Sequence, residues 1–209
     1  MASPPFVRRL PNAAVFICDI QEAFRPTIHQ FPHVLATTTK LLRASALLSL
    51  PVFVTTQNRA RLGSTASELQ PHLPADLIAV DTDKTRFSMW IPPISTHPFF
   101  STDRGPTDVA IVGIEAHICV AQTALDLLAA GHRVHVLADG VSSGHAGEVG
   151  VALARLRAAG ASVTTSEAWL YEVLGDAGAP EFKGLVRLVK ESAGATRGAL
   201  TGLVGGAKI

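Results

Sequence analysis

The chain has 209 residues, of which 47% are hydrophobic and 17% are charged, and its formal net charge is +1. This composition is typical of a soluble globular protein, and the near-neutral charge argues against strong attraction to nucleic acids or anionic membranes. No apolar run reaches the ~20 residues that a membrane-spanning helix needs. The two cysteines, Cys18 and Cys119, are too few for a disulfide framework, which favours a reducing compartment.

The first residues, MASPPFVRRL, contain two arginines and no acidic residue, a composition that also occurs in mitochondrial presequences. The prolines Pro4, Pro5 and Pro11 and the lack of an amphipathic period favour an untargeted N-terminus. We therefore expect a cytoplasmic protein, with a mitochondrial location as the alternative.

Six short runs rich in Val, Ile and Ala recur along the chain, and each predicts a β-strand. Their near-continuous apolarity is typical of strands that are buried on both faces of a parallel sheet. In chain order the runs are AAVFIC (13–18), LPVFVTT (50–56), DLIAVD (76–81), DVAIVGI (108–114), HRVHVLA (132–138) and ASVTTS (161–166).

Helical patterns lie between these runs and beyond the last of them. Three of the patterns end at Pro51, Gly131 and Gly160, residue types that commonly terminate helices. Regular alternation of strand and helix predicts a three-layer α/β/α sandwich with a doubly wound, mainly parallel sheet of about six strands. The predicted helices cover residues 33–49, 118–130, 145–159, 166–174 and 180–192.

The sequence predicts one domain over residues 12–192, with terminal extensions at 1–11 and 193–209. No internal linker or repeat interrupts the alternating pattern. The C-terminal stretch GATRGALTGLVGGAKI is rich in Gly and other small residues, so we expect it to fray.

Three reactive side chains fall at the carboxyl ends of predicted strands, where the active sites of open α/β sheets gather. Asp19 directly follows the first strand, Lys84 follows the third, and Cys119 begins the helix after the fourth. Each residue type alone is usually structural, as a packing cysteine, a turn-capping aspartate or a solvated lysine. Their convergence on one edge from distant parts of the chain favours a catalytic site.

The chemistry of the three groups is complementary. A helix N-terminus and a nearby ammonium both favour the thiolate form of Cys119, which is the nucleophilic form of a cysteine. Asp19 can take the thiol proton and pass it to a departing amine, while Lys84 holds the two anions together. Backbone N–H groups at the start of the same helix can stabilise an oxyanion. The sequence therefore predicts nucleophilic catalysis by a cysteine.

The segments around these residues resemble the isochorismatase-like cysteine hydrolases over residues of about 12 to 192. The resemblance looks closest to the eukaryotic isochorismatase domain-containing proteins. It implies that Asp19, Lys84 and Cys119 form the catalytic triad of the family. The motifs that carry it are DIQEAFRP, GSTASEL, KTRFSM, GIEAHICVAQTALDLL and VTTSEAWLYEVLGD.

The resemblance also implies features of the backbone and of the assembly. In the family a cis peptide bond without proline precedes the cysteine loop, and it corresponds here to Ile114–Glu115. That bond would aim the N–H groups of Glu115 and Cys119 at the oxyanion. Members of the family often form dimers or larger assemblies, so we expect a homo-oligomer.

The sequence departs from the metal-binding branch of the family after the second strand. Nicotinamidases have an Asp-x-His type of motif there, whereas this chain has Gln57, Asn58 and Arg59. Because metals of this kind need imidazole or charged oxygen ligands, we expect no metal, and we expect no other cofactor. True isochorismatases lack the cysteine, so Cys119 indicates hydrolysis of a C–N bond in a small amide or ureido compound.

Residues beside the triad are candidates for contact with this small-molecule substrate. Phe24 and Met89 follow the catalytic Asp and Lys, although such side chains are as often core residues. Gln57 and Asn58 end the second strand on the same edge of the sheet and can form hydrogen bonds with a substrate.

Other interpretations stay open. A member that keeps the triad can serve as a scaffold or regulator, and some relatives of this branch carry a ribonuclease label. The sequence opposes a nuclease because it has no basic stripe and no RNA-binding motif. Cys18 is expected to be an inert core residue, although a redox thiol protein would use it as the resolving cysteine. His117 is expected to be a loop or pocket residue and not the partner of Cys119 in a Cys–His dyad.

Overall fold

The computed structural model describes residues 8–73 and 75–205 of the chain. Residues 1–7, which carry most of the segment considered for organelle targeting, lie outside the described residues, so that expectation stays a prediction. None of the helices within the described ranges combines the length and apolarity needed to cross a bilayer.

In the part of the chain that the structure describes, six strands form a single parallel sheet, which confirms the predicted fold class. The strands are β1 Ala13–Cys18, β2 Val52–Gln57, β3 Ile78–Lys84, β4 Asp108–Gly113, β5 Arg133–Val141 and β6 Ser162–Thr164. Their order across the sheet is β3-β2-β1-β4-β5-β6, and every neighbouring pair is parallel. This order is doubly wound, because the chain proceeds outward from β1 in one direction and then from β4 in the other.

Two strands continue three residues past their predicted carboxyl ends, and β2 continues one residue past its own, to Gln57. β3 runs from Ile78 to Lys84 instead of ending at residue 81, and β5 runs to Val141 instead of 138. β3 lies at the edge of the sheet and is only partly buried, so it tolerates the polar residues that made the apolar run look shorter. Lys84 is therefore the last residue of a strand and does not lie in the loop after it.

Helices cover both faces of the sheet. The α-helices are α1 Phe31–Leu48, α2 Arg59–Leu62, α3 Pro92–Ser95, α4 Ala121–Ala129, α5 Ala146–Ala158, α6 Ser166–Leu174, α7 Phe182–Glu191 and α8 Ala193–Ala199. Short 3-10 turns lie at Glu22–Phe24, Gln70–His72, Pro98–Phe100 and Thr102–Arg104, and π-helical turns at Ala116–Val120 and Leu200–Val204.

The central strand β1 separates two hydrophobic cores. Val15 and Ile17 pack with residues of α1, α6, α7 and α8 on one face, and Phe16 and Cys18 pack with α3, α4 and α5 on the other. All four side chains are completely buried. A strand covered on both faces has no solvent-facing position, which is why AAVFIC lacks the polar alternation of an exposed strand.

The part of the C-terminal stretch that the structure describes, residues 194–205, is helical through Val204 and packed, so the prediction that it frays is wrong there. Residues 206–209 of the stretch lie outside the described residues. α8 and the π-helical turn after it lie against α1 and β5. Ala199 and Leu203 are buried in the core on the α1 face. The buried ammonium of Lys40 donates a hydrogen bond of 2.8 Å to Thr196 Oγ1, which ties α8 to α1.

The small residues of this stretch allow it to pack closely against α1, although such residues are also typical of chain ends that fray. A Cβ atom added at Gly198 or Gly202 would lie 2.8 Å from the ring of His33 on α1. Glycine at these two positions therefore leaves room for the His33 ring between the stretch and α1.

The end of β4 passes unusually close to the end of β1. Gly113 pairs with Cys18 in the strand register and has a φ of 120°, a backbone conformation that favours glycine. A Cβ at Gly113 would lie 2.1 Å from the carbonyl oxygen of Cys18. Because Gly113 has no side chain, the end of β4, which leads to Cys119, can lie beside the end of β1, which precedes Asp19.

Gly113→Ala is expected to lower the free energy of unfolding by more than the ~0.5–3 kcal/mol of most point mutations, because φ and the clash with Cys18 both oppose a side chain. The matched control is Gly147→Ala in α5, where a new Cβ meets no atom within 4 Å. We expect this control to stabilise the protein by ~0.4–1 kcal/mol. Urea denaturation followed by circular dichroism measures both changes, and equal stability of the two variants would contradict the close approach.

Candidate active site

Asp19 and Lys84 form a buried ion pair at the carboxyl edge of the sheet. Asp19 directly follows β1 with a φ of 51°, and Lys84 ends β3. Lys84 Nζ lies 2.7 Å from Asp19 Oδ2, and each side chain is only 1% exposed. The second carboxylate oxygen, Oδ1, accepts a hydrogen bond of 2.8 Å from Thr55 Oγ1 on β2. The fold thus brings together two of the predicted catalytic residues from different strands.

The ammonium of Lys84 is fully engaged within the protein. Besides Asp19, Nζ has Gln57 Oε1 at 2.8 Å and the carbonyl oxygens of Arg86 and Phe87 at 3.1 and 2.9 Å. An ammonium has three N–H donors, so these acceptors use all of them. Lys84 therefore orients Asp19 and the segment after β3, and it has no donor left for another group.

Cys119 lies in the π-helical turn Ala116–Val120, immediately before α4. The residue is 7% exposed and lines the same cavity as Asp19. Its carbonyl oxygen accepts a hydrogen bond of 2.7 Å from Thr123 Oγ1, and the same hydroxyl oxygen accepts one of 2.8 Å from the Met89 N–H. Thr123 thus ties the chain around Met89 to the turn that carries the thiol.

Hydrogen bonds fasten the loop ahead of Cys119 to the end of β5. The peptide bond between Ile114 and Glu115 is cis, at the position that the resemblance implies. The Glu115 carboxylate accepts a hydrogen bond of 2.8 Å from the Gly144 N–H through Oε2. The Ala116 N–H donates to the Ser142 carbonyl at 2.7 Å. These contacts fix where the backbone around Glu115 lies relative to the sheet.

A second thiol lies beside the ion pair. Cys18 is completely buried at the end of β1, and its Sγ lies 3.7 Å from Asp19 Oδ2. Burial, a hydrogen bond with Cys119 and the charge of Asp19 raise the pKa of Cys18 well above its ordinary value. Burial alone would lower the pKa of Lys84, but Cys18, Asp19 and Cys119 raise it overall. Lys84 is therefore charged at neutral pH, whereas Cys18 is a neutral thiol.

A cavity of about 210 Å³ opens between these elements. Asp19, Gln57 and Cys119 lie on its wall. The ammonium of Lys84 lies behind this wall and donates hydrogen bonds to Asp19 and Gln57. The lining residues are Asp19, Phe24, Gln57, Leu62, Phe87, Ile114, Glu115, Ile118 and Cys119. The arrangement offers a thiol and a carboxylate to a small molecule that enters the cavity.

Only two of the four predicted substrate contacts line this cavity. Phe24 and Gln57 do so, whereas Asn58 and Met89 lie outside the lining. Asn58 precedes α2 in a left-handed conformation, and its N–H donates to the Lys84 carbonyl at 2.9 Å. Met89 is completely buried in the core that also contains α4. The expectation is corrected for these two residues, because the turns after β2 and β3 direct them away from the cavity.

Four hydrophobic lining residues were missed in the sequence. Ile114 and Ile118 adjoin Glu115 and Cys119, so their place in the cysteine motif could have indicated them. Leu62 ends the short helix α2, which has no apolar period of its own. Phe87 follows β3, and its ring is half exposed. No local pattern distinguishes such residues from ordinary loop or core positions.

His117 has a polar partner away from the thiol. Its Nδ1 lies 2.9 Å from Ser143 Oγ, beyond the end of β5. His117 is not one of the residues that line the cavity. This placement supports the role of a loop residue and gives no support to a Cys–His dyad.

The segment that holds a metal in nicotinamidases does not fit a metal ion here. Gln57 Oε1 is occupied by the ammonium of Lys84, and the Arg59 guanidinium donates to Asp81 Oδ1 at 2.8 Å. A guanidinium repels a metal cation, and amide groups are weak ligands. Within residues 8–73 and 75–205, no three His, Cys, Asp or Glu side chains lie together as a candidate metal site.

The two cysteines are expected to differ in their reaction with iodoacetamide at neutral pH. Cys18 is buried with a raised pKa, so it holds less thiolate than an ordinary cysteine, whereas Cys119 opens on the cavity. Peptide mass spectrometry after brief labelling should find the adduct on Cys119 alone. Cys119→Ser should abolish labelling and Cys18→Ser should preserve it. Labelling of Cys18 in the folded protein would contradict this assignment.

Comparison with known proteins identifies relatives along most of the chain. The "Secreted isochorismatase effector Isc1" of Phytophthora sojae is 42% identical over 185 residues, which are 88% of each chain. The human "Isochorismatase domain-containing protein 2" is 39% identical over 195 residues, covering 92% of this chain and 90% of the relative.

A solved structure and a family model agree with these relatives. The structure of MAR1 ribonuclease from Caenorhabditis elegans has a TM-score of 0.80 and 38% identity, and the match covers 88% of this chain and 92% of that one. The sequence model of the isochorismatase domain matches residues 13–168. On this evidence, the chain belongs to the isochorismatase family of hydrolases.

Proposed function

We propose that this protein hydrolyses the C–N bond of a small amide or ureido compound through a thioester on Cys119. The proposal rests on one observation above all. Cys119 and Asp19 line a single small cavity, and Asp19 is held by a buried ammonium, that of Lys84. A thiol, a proton carrier and a fixed positive charge are the groups that nucleophilic cysteine catalysis needs.

In the first half-reaction, the Asp19 carboxylate takes the thiol proton of Cys119, and the sulfur attacks the substrate carbonyl carbon. A C–S bond forms, and the carbonyl oxygen becomes an oxyanion that the N–H groups of Glu115 and Cys119 stabilise. The C–N bond then breaks, and Asp19 gives its proton to the departing ammonia or amine. The product of this step is an acyl or carbamoyl thioester.

In the second half-reaction, water replaces the amine. Asp19 takes a proton from the water while the water oxygen attacks the thioester carbon. The C–S bond breaks, the thiol of Cys119 regains a proton, and a carboxylic or carbamic acid leaves. Lys84 keeps its proton throughout, because its raised pKa favours the ammonium and its donors hold Asp19 in place.

The assembly and the location of the protein stay predictions. We propose a homo-oligomer in the cytoplasm, as expected from the family resemblance and the cysteine content, and we propose no resident cofactor. The similar protein of Phytophthora sojae is named a secreted effector, so fractionation of the native cells is the measurement that decides the compartment.

Substitution of the triad should abolish turnover of amides while the fold persists. We expect Cys119→Ala to lower the rate of ammonia release by at least ~10³-fold, as loss of a nucleophile does in other hydrolases. Asp19→Asn should cost ~10²–10⁴-fold, the usual share of a general acid–base group. Intact-mass spectrometry of the wild-type protein incubated with a panel of amides and ureas should detect an acyl adduct on Cys119.

The control for these variants is His117→Ala, because His117 contacts Ser143 and does not line the cavity. We expect this variant to keep most of the activity. Circular dichroism of Asp19→Asn must be measured in parallel, because its buried partner Lys84 loses a counter-charge. A reactive thiol with no adduct from any amide would contradict the hydrolase and favour a scaffold or redox role.

A second candidate function comes from the name of the similar Caenorhabditis elegans protein, MAR1 ribonuclease. A cavity of about 210 Å³ and a net charge of +1 both favour a small substrate over RNA. We expect the purified protein to leave a fluorescent RNA substrate intact after high-salt washing. RNA cleavage that survives washing and disappears in Cys119→Ala would instead assign the ribonuclease activity to this site.

A further inference from the structure

We propose that the cavity selects amides whose acyl group is uncharged and apolar, and that the ring of Phe87 binds this group. The inference rests on the proposed amide hydrolysis and adds the chemical class of the substrate. It is carried by the lining of the cavity, by the hydrogen bonds that already occupy its polar groups, and by the exposure of Phe87.

Most of the cavity wall is hydrophobic. A volume of about 210 Å³ lies below the ~300–1,000 Å³ of sites for larger ligands, so a bound acyl group touches several walls at once. Apolar surface of this kind favours a group that gives up no hydrogen bonds to water when it enters. The hydrophobic lining residues are Phe24, Leu62, Phe87, Ile114 and Ile118.

The polar groups at the wall already have hydrogen-bond partners within the protein, so few donors remain for a charged substrate. Gln57 donates through Nε2 to the Thr85 carbonyl at 2.9 Å, and its Oε1 accepts from Lys84. The three donors of Lys84 are used by Asp19, Gln57 and the main chain. A carboxylate on the substrate therefore finds no cation with a free donor among the lining residues.

The charges of the wall also oppose an anionic acyl group. Asp19 and Glu115 are the two acidic residues of the lining, whereas none of the lining residues is basic, and like charges at close range disfavour binding. Arg61 and Arg86 adjoin lining residues in the sequence, but both are exposed and neither lines the cavity. A cationic acyl group is disfavoured for a different reason. The Asp19 carboxylate is already paired with Lys84, and that of Glu115 accepts from the Gly144 N–H, so a cation would lose its water against a hydrophobic wall without gaining a free counter-charge.

Phe87 gives independent support for an apolar ligand. The residue is 50% exposed, which is unusual for a large aromatic residue, and it lies on the cavity wall. Its main-chain carbonyl accepts from Lys84 at 2.9 Å, so the backbone is fixed while the ring stays available. A ligand that covers the ring would remove this exposed apolar surface from water.

The first test compares amides of similar size and different charge. The probes are butyramide and benzamide, which are neutral, succinamate, which is anionic, and β-alaninamide, which is cationic. We expect kcat/KM for ammonia release to be at least ~10-fold higher for the neutral amides, a ratio within the range that a shaped pocket achieves. Equal or faster turnover of a charged amide would overturn the inference and leave amide hydrolysis standing. Absence of both ammonia and a Cys119 adduct with every probe would overturn both proposals.

The second test removes the ring but keeps the carbonyl that Lys84 needs. Phe87→Ala is expected to raise KM for benzamide several-fold with a smaller effect on kcat, and Phe87→Leu should restore much of the loss. The matched control is Tyr171→Ala on α6, which removes another partly exposed aromatic side chain away from the cavity. An unchanged KM in Phe87→Ala, or an equal change in Tyr171→Ala, would contradict the role of Phe87.

Discussion

The ion pair between Asp19 and Lys84 is the constraint around which the carboxyl edge of the sheet is arranged. Both charges are withdrawn from water, and a buried charge left without its partner costs about 3–5 kcal/mol. Such a pair persists only where further hydrogen bonds satisfy the remaining groups. Thr55 and Gln57 of β2 supply them, because β2 lies between the strands that carry the aspartate and the lysine. The strand order β3-β2-β1 therefore places the hydrogen-bond partners of the ion pair on the strand between its two members.

The thiol comes from the other half of the doubly wound sheet. β1 and β4 are neighbours, and Gly113 lets the end of β4 lie against the carbonyl of Cys18, one residue before Asp19. The π-helical turn after β4 then carries Cys119 to the cavity, and Thr123 ties this turn to the chain that follows Lys84. One half of the sheet supplies the ion pair and the other supplies the thiol that we propose as the nucleophile, and the two halves meet where the strand order reverses.

The strands and the positions of the reactive residues could be predicted because parallel strands end at one edge and are apolar throughout. The lining of the cavity could not, since it depends on the direction of side chains in turns. Asn58 adopts a left-handed conformation and Met89 enters the core, whereas Leu62 and Phe87 face the cavity. The apolar run predicts that β3 ends at residue 81, but the strand continues to Lys84 because an edge strand tolerates polar residues.

The match to the isochorismatase domain ends at residue 168, but the hydrophobic core does not end there. Trp169 is completely buried, and α6, α7 and α8 cover the side of the sheet on which Ile17 lies. A fragment excised at the boundary of the match would keep α1 but lose α7, α8 and most of α6, and would expose part of this face of the sheet to water. A stable fragment that carries the candidate site therefore has to extend through Leu203, because the last helices complete the hydrophobic layer that covers β1 on this face.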